Sequence, residues 1–269
     1  MTRHVAWSSL RWREYFAHNA QHLLDIPWDS THRLAGAERE AIALSVQEFQ
    51  LGESSEGRHL LARGRGYARR SGDEDYAPAL AAFVAEEHRH ARELARFMQL
   101  EGIDRVGHAW PDTVFRWLRH RAGLELSIVV LVTAEIIAKV YYAALRDATG
   151  SPVLRRLCDQ ILADEHAHVR FQCERVAILR RRRMRWLIPL LDAMHRVLMA
   201  GTCLVVWHKH GRALRAGGFG FVRFWRETWH ERNAAARIMN PACVDFAEVR
   251  RATCPGIRSA AVDTVGARG

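Results

Sequence analysis

The chain has 269 residues, 49% of them hydrophobic, with 40 basic against 30 acidic side chains and a formal charge of +10. That length supports a sizeable core in one domain with appendages, and the positive balance admits an anionic partner without choosing among nucleic acid, a membrane surface or an acidic metabolite. Five cysteines, an odd number with no C-x-x-C pair, exclude a disulfide framework and a zinc ribbon and set the expectation of reduced thiols in a cytoplasmic protein.

Only Lys139 and Lys209 are lysines, so nearly all of the positive charge is arginine. Seven prolines and long runs free of Gly and Pro point to an all-α protein. Residues 1–36 read as an N-terminal head. Trp7, Trp12, Tyr15 and Phe16 recur at helical spacing, with no apolar run of the kind a signal peptide carries, and Ile26-Pro27-Trp28-Asp29 ends the pattern. Residues 37–70 read as one long helix with Ile42, Val46, Phe49, Leu60 and Leu61 on its apolar stripe. Extending that stripe reaches Glu53 and Glu56, acids that are costly on an inward face unless paired or metal-bound.

Ser71-Gly72-Asp73 reads as a turn. A second helix follows from about Pro78 to Leu100, with Leu80, Phe83, Glu87, His90, Leu94 and Phe97 inward. Residues 101–123 read as a crossover holding a short helical segment, Val114 to His120. The third helix, from about Leu124 to Ala148, puts Glu135 on the stripe of Leu124, Ile128, Leu131 and Tyr142; an i,i+4 ion pair with Lys139 is the bland account of that acid. Gly150-Ser151-Pro152 stops this helix and starts a fourth, from about Val153 to Leu179.

An octet repeats across the chain. Ala85-Glu86-Glu87-His88-Arg89-His90-Ala91-Arg92 returns as Ala163-Asp164-Glu165-His166-Ala167-His168-Val169-Arg170. Each copy contains Glu-x-x-His, which puts one carboxylate and one imidazole on the same helix face. Glu135 and Glu165 are equidistant from Gly150, and Glu56 and Glu87 are equidistant from the Ser71–Gly72 bond. In each antiparallel hairpin a lone acid therefore sits level with Glu-x-x-His on the next helix. Glu53 centres on Arg70, just before the turn, so Glu56 is preferred and Glu53 is the second choice. A three-residue shift along a helix is worth about 4.5 Å. The resulting set is Glu4His2, and carboxylate with imidazole and no thiolate suits iron or manganese. The absence of His-Glu-x-x-His leaves a zinc-protease reading unsupported.

With these residues the chain resembles the ferritin-like di-iron carboxylate superfamily over about residues 37–180. The resemblance implies a ferritin-like four-helix bundle with an N-terminal aromatic helical head and extra C-terminal helices. It implies Glu56, Glu87, His90, Glu135, Glu165 and His168 as catalytic ligands of two iron ions, with manganese as the alternative metal and dioxygen as co-substrate. His59 would add a third histidine, as in the arylamine N-oxygenase branch. Glu86 and Asp164 would either hydrogen-bond the ligand histidines or be solvated, and Tyr142 would be either a redox-active neighbour or core packing. His88 and His166 point elsewhere on their helices.

Residues 181–254 read as a helical extension. Arg180 to Arg185 is nearly all arginine, and Trp186 to Trp207 is largely apolar. Pro189, Asp192, His195 and Arg196 argue against a membrane span, and Asp192 can pair with Arg196. A buried or dimer-forming fifth helix is preferred over membrane attachment. Phe219 to Trp229 reads as an amphipathic helix, and residues 255–269 as a flexible tail.

Three functions compete. The first is a di-iron oxidase or oxygenase acting on a small organic substrate, with an external electron donor. The second is a ferroxidase or iron-binding protein resembling ferritin or rubrerythrin, against which stand the basic charge and the missing C-x-x-C pairs. The third is a non-catalytic, membrane-associated helical bundle. A homodimer and peripheral membrane contact stay open as partners; nucleic acid is disfavoured, since nothing in the chain reads bases.

Overall fold

The computed structural model describes residues 3–54, 57–107 and 123–253, and these form a helical bundle. The helices are α1 (Ser9–Asn19), α2 (Gly36–Ser54), α3 (Arg58–Ser71), α4 (Tyr76–Leu100), α5 (Leu124–Asp147), α6 (Pro152–Arg180), α7 (Leu187–Ala216), α8 (Phe221–Met239) and α9 (Ala247–Thr253). Helix starts follow local chemistry. The Ser8 hydroxyl accepts from the Arg11 amide, and Ser151 caps α6 through the Leu154 amide with Pro152 in the first turn. Gly72 ends α3 at φ +70°, a conformation that glycine adopts at little cost. The Val114–His120 segment and the tail from Pro255 lie outside the described residues.

The expected first helix, 37–70, is two helices: α2 stops at Ser54 and α3 begins at Arg58. Level counting from the turn therefore fails in this half, because equal rise per residue holds only within one continuous helix. Elsewhere the apolar stripes are buried as expected. Leu80, Phe83, Leu94 and Phe97 of α4, and Ile128, Leu131 and Tyr142 of α5, all lie in the main core. The long α5–α6 hairpin packs beside α4, which also packs against α2 and α3. Helices α2 and α5 meet through Phe49, stacked on Tyr141 at 3.5 Å between ring centroids. Helix α7 covers α5 and α2, and α8 covers α6 and α5. Gly217, just past α7, is where the extension closes on the bundle: a Cβ there would sit 2.0 Å from the Ala144 carbonyl oxygen.

The head docks by polar anchors as well as aromatics. Trp7 precedes α1 instead of lying on it, with its ring between Arg11 and Arg170. The buried Glu174 carboxylate of α6 accepts from the Trp7 amide at 2.9 Å, the Trp12 indole at 2.8 Å, Arg170 at 2.8 Å and His4 at 2.7 Å. Buried Arg175 reaches Asp73, Tyr67 and Ser9, tying the α3–α4 turn to the head. Residues His4–Val5 (β1) pair in parallel with Val244–Asp245 (β2), a two-stranded link between the two ends that nothing in the local pattern announces.

Candidate metal centre

Helices α2, α4, α5 and α6 each bring acids or imidazoles to one interior point. Two groups of donors form there, each with its ligand atoms within 4.8 Å of one another: Glu53, Glu87, His90 and Glu165, and Glu87, Glu135, Glu165 and His168. Glu87 and Glu165 belong to both groups. Each group adds one further glutamate and one histidine. The six residues are buried, with Glu165, His90 and His168 at zero exposure.

Five of the six expected ligands are thus together. The sixth, Glu56, lies outside the described residues, and Glu53, the second choice, supplies the α2 carboxylate. His59 stands exposed on α3, so it is not among the buried donors. His166 is exposed and bonds its own helix at the Leu162 carbonyl. Glu135 does not pair with Lys139, which instead reaches Glu231 on α8. The acid accepts at 2.8 Å from the Gln172 amide.

The donor atoms lack the partners that a structural polar network would supply. Among the described residues, Oε1 of Glu87, both carboxylate oxygens of Glu165, and Nδ1 of His90 and of His168 are buried with no hydrogen bond. Nδ1 of His168 is 2.7 Å from Glu87 and 3.7 Å from Glu165, without the directionality of a hydrogen bond, and Nδ1 of His90 is 4.0 Å from Glu165. Buried polar atoms are rarely left this way unless something else binds them. Burial, reinforced by Glu135, pushes the carboxyls of Glu87 and Glu165 well above the usual range. Burial opposes a proton on His168, but Glu87, Glu165 and Glu86 around it override this and raise its pKa well above the ordinary histidine value. Four carboxylates crowded into a buried site match the charge of two divalent cations, so the residues fit such a pair.

A second ring of contacts aims the donors. Nε2 of His168 lies 2.9 Å from Glu86, and Nε2 of His90 lies 2.9 Å from Asp164. The pairs cross: each octet's histidine is held by the other octet's acid. Carboxylate acceptors require the proton on Nε2, so Nδ1 is the nitrogen each ring turns toward the cluster. Both acids meet again at Asn19 of α1, whose amide donates to Glu86 at 2.7 Å and to Asp164 at 2.8 Å. Asp164 also accepts from Arg89 and Gln160. Burial pushes its carboxyl up, but the hydrogen bond from His90 and the Arg89 charge outweigh that and hold it well below the usual carboxylate range. The Tyr142 hydroxyl donates to Glu53 at 2.6 Å, so this tyrosine is a neighbour of the cluster and not core filler alone.

Sequence reasoning missed Asn19, Gln160 and Gln172. The last was legible, since it follows His168 by four and shares its helix face. Asn19 was not, because no sequence pattern sets how the head lies on the bundle. Comparison of this chain with known protein families, characterised proteins and solved structures found no match.

Proposed function

We propose that this chain is a ferritin-like di-iron carboxylate protein, an oxidase or oxygenase of a small organic molecule, with Glu53, Glu87, His90, Glu135, Glu165 and His168 as its ligands. The observation that carries the reading is the sharing of Glu87 and Glu165 between two otherwise separate donor groups. Glu53 with His90 would hold one cation and Glu135 with His168 the other, with Glu87 and Glu165 available to both. Bound iron would supply the reducing electrons that dioxygen chemistry requires.

The protein's own part is positioning. Glu86 and Asp164 hold the two imidazoles by their Nε2–H groups, Tyr142 orients Glu53, and Gln172 orients Glu135. Phe83, edge-on to His168 at 4.8 Å, helps exclude water. An apolar void of about 10 Å³, walled by Leu80, Phe83, Leu131, Phe171 and Gln172, has room for one water-sized molecule and suits a diatomic co-substrate. A hollow of organic-substrate size lies between α2 and α4, lined in part by residues that neighbour the donors in sequence. It measures about 350 Å³ and is lined by Gln50, Ser54, His88, Arg92 and Arg105, with no acid among the described residues that line it. Gln50, one of its lining residues, is buried and donates to the Ala91 carbonyl at 3.2 Å. This wall supports a substrate that carries an anionic group.

The test is anaerobic loading with ferrous iron followed by oxygen, watched by absorption and Mössbauer spectroscopy. About two irons per chain are expected, with protons released from Glu87, Glu165 and Nδ1 of His168 as the cations enter. Glu87→Ala and His168→Ala should each lose the paired centre and keep their helicity. Equal iron content in wild type and both variants refutes the assignment. Uptake far beyond two per chain with ferric mineral formation would instead make the protein a ferroxidase.

A further inference from the structure

We infer that the outer face of α7, with the arginine-lined hollow at its start, docks this protein on an anionic phospholipid bilayer, the helix lying in the plane of the interface. The inference is independent of the metal centre.

Helix α7 is 30 residues long and apolar on two opposite sides. Its inner side, with His195, Met199, Cys203 and Leu214, is buried in the protein. Its outer side carries Leu190, Met194, Val197 and Leu204, exposed by 52%, 55%, 74% and 55%. These four, with Leu187 and Gly201, alternate at three and four residues along one straight stripe of period 3.5. Trp186 extends the stripe at one end, and Phe221 and Val222 at the start of α8 add exposed apolar surface beyond the other. A contiguous patch of this kind marks an interaction site.

The helix is long and apolar enough to cross a bilayer, yet only 22% of its most apolar window is buried. It does not cross, because its other face is committed to the bundle as far as its last turns: Lys209 bonds Glu48 at 2.7 Å and Ser45 meets His210 at 2.8 Å. A helix with one apolar face held on a protein and the other free lies along an interface.

Charge selects the occupant. Arg181, Arg182, Arg183 and Arg185 stand exposed where α7 begins, and Arg212, Arg215, Arg223 and Arg226 stand exposed where it ends. A hollow of about 400 Å³ opens beside Ile188 between Arg3, Arg180, Arg183, Arg185 and Arg250; Asp245 is the one acid among its described lining residues, and Glu125 pairs with Arg180 and Arg183. Arginine forks match phosphate oxygens. A second copy of the chain is the competing occupant. Paired in parallel it would set the Arg181–Arg185 end against itself; antiparallel, against Arg212 and Arg215. Both arrangements bring like charges together, whereas an anionic bilayer is complementary at both ends.

The test is flotation of the full chain with vesicles of phosphatidylcholine alone or mixed with phosphatidylglycerol, alongside its mass in solution. The protein should float with the anionic vesicles and not with the neutral ones, less so as salt rises. Leu190→Glu, Val197→Glu and Leu204→Glu together should weaken binding by roughly 100-fold or more. Arg182→Gln and Arg185→Gln should cost roughly five-fold each. All five sites are exposed, so thermal unfolding should be unchanged. Equal flotation on both vesicle types overturns the proposal, and so does a triple variant that floats like wild type. A wild-type dimer that the triple variant splits, with no flotation in either protein, overturns it in favour of self-association.

Discussion

Glu165→Leu separates a metal site from a structural acid cluster. Glu165 has zero exposure, and among the described residues neither of its oxygens has a hydrogen bond. A buried polar group without a partner costs about 1–3 kcal/mol. Leucine at this position removes that cost and buries a side chain of similar size. With a chelator present, the variant should be about 1–3 kcal/mol more stable than wild type, a rise of roughly 2–4 °C in unfolding midpoint per kcal/mol. With divalent metal the order should invert. Wild type gains about 2.7 kcal/mol at a hundredfold excess over its dissociation constant, and the variant, missing a carboxylate common to both donor groups, gains little. The assay is calorimetry in chelator and in manganous or anaerobic ferrous solution. A variant that is less stable in chelator, and whose midpoint metal moves as far as that of wild type, refutes the reasoning. Glu165 would then be a structural acid satisfied by its neighbours.

Three further outcomes are expected. Asn19→Leu removes two hydrogen bonds to carboxylates, each worth about 1.5–3 kcal/mol, and should weaken metal affinity about 10–100-fold in chelator competition; unchanged affinity would mean that the head does not order the histidines. Glu174→Ala strips the acceptor from Trp7, Trp12, Arg170 and His4. It should cost about 3–5 kcal/mol in denaturant unfolding and expose residues 3–36 to proteolysis. His195 is pushed down to about 4 by burial and by Arg232. Its neutral form is favoured in the fold, so its contribution is complete above the unfolded value near 6.5 and is lost as pH falls toward 4. The loss is at most about 3 kcal/mol, and His195→Leu should flatten the stability profile in that window.

Much of the site was legible because the relevant geometry is local. Glu-x-x-His places two side chains on one helix face by helical spacing alone, and the repeat of the octet, with Glu135 level with Glu165 across Gly150, needs only one tight hairpin. That is why Glu87, His90, Glu135, Glu165 and His168 converge as expected. The choice between Glu53 and Glu56 was not legible by the same counting, which assumes one continuous helix where the chain forms α2 and α3; Glu53 joins the cluster and Glu56 lies outside the described residues. The Glu135–Lys139 pair, the bland alternative to an inward ligand, was possible on local spacing alone, but Lys139 reaches Glu231 on α8 instead.

The amino-acid sequence by itself determined the helical class, the apolar stripes and the pairing of carboxylate with imidazole, because these follow from periodicities of three to four residues. The tertiary structure alone decided which acid holds which histidine, how Asn19 joins the two, and which side of α7 is left bare. Those contacts join residues far apart in the chain, and the rotation of one helix about its axis against another is set by the packing of all of them together.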